Sequence, residues 1–220
     1  MSKKPLENRG YAFEVRAEHN DEHGDYITGR PIVYERKTDI GGMFEETICR
    51  GALDNTDLTD VRFLVNHDIS KIPLARSRRN NKNSTMQLSV DNDGMAIRVN
   101  LDTENNADAK ALYSAVKRGD ISGMSFMFVI EQERWEDGDS EYPKRFIEKI
   151  STVVEVSAVT FPAYEDTEID ARNKEALENA KRALENARAK SNQVDTGNDS
   201  DGNSKLLELY KIKNQILGGI

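Results

Sequence analysis

The stretch Arg118-Gly119-Asp120-Ile121-Ser122-Gly123-Met124-Ser125-Phe126-Met127-Phe128 constrains this chain more than any other. It closes a helical pattern, turns on two glycines and enters an apolar run that reads as a strand as far as Glu133. Upstream, Ala109, Leu112, Ala115 and Val116 share one helical face, which Asn105 or Asn106 caps at its start and Gly119 ends. A helix that passes directly into an apolar strand demands a mixed architecture. Ser125 stands at the mouth of that strand, where the strand fixes its backbone and Gly123 lets another segment approach closely. A serine hydroxyl is a weak nucleophile alone and needs a base, and a group that orients the base.

The remaining pattern is mostly strand. Tyr11, Phe13 and Val15 alternate with smaller or charged residues, and Tyr26-Ile27 lead to Ile32-Val33-Tyr34 beyond a hairpin-type turn over Asp21-Glu22-His23-Gly24-Asp25. Phe44 to Leu58, with Gly51 inside it, reads as a strand that turns into a short helix. Val61 to Val65 is an apolar run ending at Asn66-His67-Asp68. Thr85 to Val90 and Met95 to Leu101 flank Asp91-Asn92-Asp93-Gly94, where Gly94 supplies the positive φ of a tight hairpin. Glu136 to Pro143 is an acidic loop, and Arg145 to Phe161 a long strand ended by Pro162.

After Ala171 the composition shifts. Asn173 to Lys190 reads as a solvated helix with a narrow stripe at Leu177 and Leu184. Ser191 to Ser204 is an Asn/Asp/Gly/Ser-rich linker, and Leu206 to Leu217 a short amphipathic helix suited to docking. The expected division is therefore a domain over 1–172 and an appendage over 173–220.

With 220 residues the chain can bury one sizeable core. Its net charge of -8 argues against general binding to nucleic-acid phosphates. The basic run Arg76 to Lys82, interrupted by Asn80 and Asn81, reads as a solvated loop. Cys49 is the single cysteine, which excludes an internal disulfide framework and a cysteine-based zinc site and fits a reducing, intracellular setting. No apolar run follows Met1-Ser2-Lys3-Lys4-Pro5, so a signal peptide is not expected, and no stretch is apolar enough to span a membrane. A phosphate-binding glycine loop and a dinucleotide fingerprint are both missing, so no cofactor is expected.

His67 is the candidate base. His19 and His23 sit in a polar turn region and read as surface residues. Their i, i+4 spacing, with Glu18, Asp21, Glu22 and Asp25 nearby, falls on a turn where the two rings need not converge on a metal. Glu155 is the candidate orienting group. It lies among Val153, Val154, Val156 and Val159, where a carboxylate is costly unless hydrogen-bonded or paired. On a strand Glu155 and Ser157 share one face while Val154, Val156 and Ala158 share the other. The plainer readings are a structural histidine and a strand with one wet face. Ser122 is a rival nucleophile three residues before Ser125, and Asp68 a rival partner for the histidine, although a strand neighbour points the other way.

The order of these segments resembles the tailed-bacteriophage prohead maturation protease family. The likeness rests on Arg50-Gly51-Ala52-Leu53, Asn66-His67-Asp68, Ile72-Pro73-Leu74-Ala75-Arg76 and the Asp91 to Gly94 hairpin. Arg118-Gly119-Asp120 to Ser125-Phe126, Glu155-Val156-Ser157-Ala158-Val159-Thr160 and Pro162-Ala163 complete it. The chain departs from the family at Met127, Ala75 and Tyr164, where the family has glycine, glycine and asparagine. The resemblance implies an α+β, β-rich fold with a barrel core like that of the herpesvirus assemblins, flanking helices and a helical or disordered tail. It implies a catalytic set of Ser125, His67 and Glu155, and no cofactor or metal. It also implies a serine endopeptidase inside the assembling prohead in the host cytoplasm, acting on coat or scaffolding segments and on itself. A homo-oligomer is compatible with that role; nucleic acid and membrane are not expected partners. The alternative is a non-catalytic capsid-assembly or scaffolding protein that keeps the protease fold.

Overall fold

Period-two alternation gives strands the largest share of the described residues, and the computed structural model describes residues 6–12, 15–22, 24–160 and 171–191. β1 (Leu6–Ala12), β2 (Arg16–Asn20), β3 (Gly24–Val33), β4 (Lys37–Asp39), β5 (Glu45–Ile48), β6 (Asp60–Val65) and β7 (Ala75–Arg78) come first. β8 (Met86–Asp91), β9 (Gly94–Asn100), α1 (Ala107–Arg118), β10 (Gly123–Glu136), β11 (Lys144–Val159) and α2 (Ala171–Ser191) follow.

The strands form two sheets. In the smaller one the order is β2-β3-β9-β8, all antiparallel. In the larger one β10 and β11 form a long antiparallel pair that carries everything else. β1 adds to the outer edge of β10. On its other side β11 takes two parallel partners in succession, β5 along Lys144–Ile147 and β6 along Glu155–Ala158. β4 extends β5 and β7 extends β6. Apolar faces of both sheets meet in one core, with Ile27, Met86, Met95 and Val99 from the smaller sheet against Phe63, Phe126, Phe128 and Val156 from the larger.

The expectation of a β-rich α+β chain agrees with this architecture. The closed barrel does not: among the described residues both sheets are open, because their strand orders end on edges instead of returning to their starts. Other differences are local. Tyr11 and Val15 do not share one strand, since β1 ends at Ala12 and β2 pairs into the other sheet. The helix expected before Leu58 is a series of tight turns, with Ala52, Asp54 and Thr56 donating to the carbonyls of Cys49, Gly51 and Leu53. The first three residues of the basic run are strand: Arg76 and Arg78 lie on β7, and Arg76 grips Asp60 on β6 at 2.5 and 2.7 Å.

α1 begins at Asn106, whose side chain accepts from the N–H groups of Asp108 and Ala109, and stops at left-handed Gly119. Its Ala109, Leu112 and Val116 are buried. α2 is less solvated than its composition suggests. Ala180 and Leu184 pack with Ile40 and Phe44, and Met43 and Trp135 border that cluster. No helix among the described residues is long and apolar enough to cross a membrane. The linker expected after Ser191 and the helix expected over Leu206 to Leu217 lie outside the described residues, as do Phe13, His23 and Pro162.

Candidate active site

Three strands set the site, with β11 in the middle. Ser125 on β10 lies opposite Ser157 on β11, and Met127 lies opposite Glu155. On the other flank β6 runs parallel to β11 and ends with Val65 beside Ala158. The next two residues, Asn66 and His67, take left-handed φ values of 51° and 56°. Such values are uncommon for residues other than glycine, and asparagine and histidine tolerate them better than most. Two in succession turn the chain off the line of the strand, and His67 folds back over β11.

That turn is clamped. The Asn66 N–H donates to the Ala158 carbonyl at 2.9 Å. Its side chain exchanges two hydrogen bonds with Thr160, accepting from the Thr160 N–H at 2.9 Å and donating to Oγ1 at 3.1 Å. The His67 N–H donates to Ser157 Oγ at 3.1 Å.

A register shift between Met127 and Phe128 aims the carboxylate. Met127 pairs with Glu155 and Phe128 with Val153, leaving Val154 as an extra residue in β11. Val153, Val156 and Ala158 therefore all join the core, while Glu155 and Ser157 share the opposite face. Simple alternation had placed Val154 on the core side; the bulge gives that place to Val153. Neither face is wet: Glu155 is 1% exposed and Ser157 is fully buried.

Ser125, His67 and Glu155 meet. His67 Nε2 lies 2.7 Å from Ser125 Oγ, and His67 Nδ1 contacts Glu155 Oε1. Glu155 Oε2 accepts from Ser157 Oγ at 2.6 Å. Ser125 Oγ also lies 2.8 Å from the carbonyl oxygen of Arg9 on β1. The Ser125 proton thus has two acceptors in reach. With Nδ1–H given to Glu155 and Nε2 unprotonated, it goes to Nε2; an imidazolium would send it to Arg9.

The rivals stand elsewhere. Ser122 is exposed and precedes β10. The Asp68 carboxylate accepts from the Ser70 N–H at 3.1 Å and hydroxyl at 2.6 Å, closing a local turn. His19 lies on β2 with its side chain 58% exposed, hydrogen-bonded to Asp25 at 2.8 Å.

Sequence reasoning missed a buried ionic cluster that joins β1, the edge strand beside Ser125, to β5 and the start of β11. Arg9 holds Glu46 through two nitrogens and Glu7 through a third at 3.0 Å. Arg145 reaches Glu46 at 3.1 Å, Glu7 at 3.3 Å and Glu133 at 2.5 Å. Burial pushes the Glu7 carboxyl up, but Arg145 and Arg9 together outweigh it and hold it below the usual carboxylate range. Charged residues at Glu7, Arg9, Glu46 and Arg145 carried no signal of burial, because the same pattern describes a strand with a solvated face.

Against this geometry stand the comparisons with known proteins. The caudovirus prohead serine protease family matches residues 11–183, most of the chain. The chain belongs to this family. No curated protein matches it. Among solved structures it is similar to the capsid assembly protease gp21 of bacteriophage T4, with 15% identity, 70% of this chain and 98% of that chain covered, and a TM-score of 0.36. The resemblance drawn from the motifs and the family match agree, and the match extends through much of α2.

Proposed function

We propose that this prohead protease family member is an active serine endopeptidase whose nucleophile is Ser125, whose base is His67 and whose orienting group is Glu155. The observation that carries the reading is the unbroken contact chain from Ser125 Oγ through His67 to Glu155, drawn from three separate segments. As Ser125 Oγ attacks the scissile carbonyl carbon, its proton passes to His67 Nε2. The imidazolium so formed is stabilised by Glu155 through Nδ1–H. Collapse of the tetrahedral adduct breaks the C–N bond, and His67 returns the proton to the leaving amine. Water then hydrolyses the acyl-serine with His67 again as base, releasing the new carboxyl end and free Ser125. Every proton in these steps moves between groups of the chain, the peptide and water.

The substrates in this reading are coat or scaffolding segments inside the assembling prohead, and the chain itself. Residues 1–172 form the protease unit and 173–220 a removable appendage, attached through Ala180 and Leu184 and through hydrogen bonds from Asn179 and Arg188. The kinship with herpesvirus assemblins belongs to the same proposal and rests on the motif resemblance alone.

The test is the intact mass of the purified chain over time, alone and co-assembled with coat protein, beside Ser125→Ala and Ser122→Ala variants. Wild type and Ser122→Ala should shorten themselves or the coat, and Ser125→Ala should leave both intact. Cleavage by Ser125→Ala would remove the nucleophile assignment. A wild type inert even when co-assembled with coat would favour the non-catalytic assembly protein.

A further inference from the structure

We propose that Ser157 is a positioning residue that locks the His67 ring to its own backbone through a closed circuit of hydrogen bonds. The inference deepens the reading above and rests on His67 being the base. The circuit starts and ends on one residue. The His67 N–H donates to Ser157 Oγ at 3.1 Å, Ser157 Oγ lies 2.6 Å from Glu155 Oε2, and Glu155 Oε1 contacts His67 Nδ1.

The directions in this circuit follow from its backbone donor and from an ionised Glu155. A backbone N–H can only donate, so Ser157 Oγ must accept there with a lone pair. The single Ser157 proton is then free for Glu155 Oε2. A carboxylate accepts on both oxygens, so the atom facing Oε1 must bring a proton, and Nδ1 carries it. Nε2 is left with a lone pair directed at Ser125 Oγ, 2.7 Å away. The tautomer that a general base needs is therefore set by the Glu155 carboxylate, and Ser157 holds that carboxylate against the His67 main chain.

Geometry adds to the proton count. His67 follows a left-handed Asn66 and is itself left-handed, at φ 56°. Its ring direction is consequently not inherited from the regular strand before it. The circuit ties backbone and ring to the same carboxylate, so neither rotates without breaking a bond. Ser157 is fully buried and Glu155 1% exposed. Removing the hydroxyl in Ser157→Ala leaves the His67 N–H and a buried carboxylate oxygen each short of this partner, with little room for water to substitute. Alanine keeps the strand and the core face unchanged, because Ser157 points away from Phe126 and Val156.

Two measurements on the full chain test the circuit. The first is ¹H–¹⁵N NMR of the His67 imidazole in the wild type. It should show Nδ1–H as a far-downfield, slowly exchanging proton and Nε2 as unprotonated. An Nε2–H tautomer would overturn the proposal, and this result does not depend on any activity or on a variant that folds. The second is inactivation by a fluorophosphonate, which phosphonylates an activated serine and releases fluoride. Ser157→Ala should lower the maximal inactivation rate by about 10- to 100-fold, with the concentration for half-maximal rate unchanged. Its Nδ1–H signal should also broaden into exchange. A Ser157→Ala chain that keeps both the wild-type rate and the sharp signal refutes the positioning role. If Ser125→Ala reacts as fast as wild type, the nucleophile reading fails instead, and the NMR result still decides the circuit.

Discussion

Arg145→Met is the perturbation that tests the buried ionic cluster most severely. Arg145 sits at the start of β11, 2% exposed, and contacts Glu7, Glu46 and Glu133. Methionine keeps the length of the side chain and removes its charge. Three carboxylates that faced two guanidiniums would then face Arg9 alone. Glu133, 30% exposed, can turn to water, so the cost comes from Glu7 and Glu46 at 0% and 1% exposure. Removing one partner of a buried ion pair costs about 3–5 kcal/mol, a large share of the roughly 5–15 kcal/mol that stabilises a domain. The melting point should fall by about 6–20 °C. The pH dependence has a definite sign. In the wild type Glu7 is depressed, so its contribution is present above the unfolded carboxylate pKa and is lost as pH falls through the folded value. Without Arg145, burial prevails, Glu7 shifts upward, and its charge opposes folding at neutral pH until acid neutralises it. The deficit relative to wild type is therefore largest near pH 7 and shrinks toward about pH 4. Urea unfolding at several pH values, with Arg145→Met/Glu7→Gln as the partly restored control, reads both quantities. A deficit under about 1 kcal/mol at neutral pH, or one that grows on acidification, would refute the reasoning.

Substitutions at two further positions probe constrained backbone, Gly94 in the smaller sheet and Asn66 beside the site. Gly94 has φ 133°, and a Cβ there would lie 2.0 Å from the Ile32 carbonyl oxygen, so Gly94→Ala should cost about 2–4 kcal/mol through strain and overpacking. An unchanged urea midpoint would contradict that close approach. Asn66→Ala loses the two bonds to Thr160 and keeps a disfavoured φ, for about 2 kcal/mol, whereas Asn66→Gly relieves the φ and should cost about half as much. Equal losses in the two variants would mean that the left-handed turn carries no strain.

What was legible in the sequence was local, and what was not was long-range or charge-related. The Asp91 to Gly94 hairpin and the Asn106 and Gly119 caps of α1 depend on residues within a few positions of one another, and their turn chemistry states itself. His67, Ser125 and Glu155 could be named as types in the right order, but their meeting depends on β6 and β10 flanking β11 across separations of 58 and 88 residues. The Val154 bulge decides that Val153 and not Val154 joins the core, and it arises from the pairing of Met127 with Glu155 and Phe128 with Val153, not from anything in β11 alone. The ionic cluster and the α2 contact were hidden for a shared reason. Charge and low hydrophobicity mark a residue as solvated only when no opposite charge or apolar ledge exists elsewhere, and here Arg145 waits for Glu7 and Phe44 for Leu184. Both hidden features hold β1 in place: Arg145 grips its Glu7 side chain, and Asn179 of α2 donates to its Leu6 carbonyl at 3.3 Å. β1 in turn sets the Arg9 carbonyl 2.8 Å from Ser125 Oγ. The parts least visible in the sequence thus fix the surroundings of the part most visible in it, and a perturbation far along the β10–β11 pair reaches the serine through one edge strand.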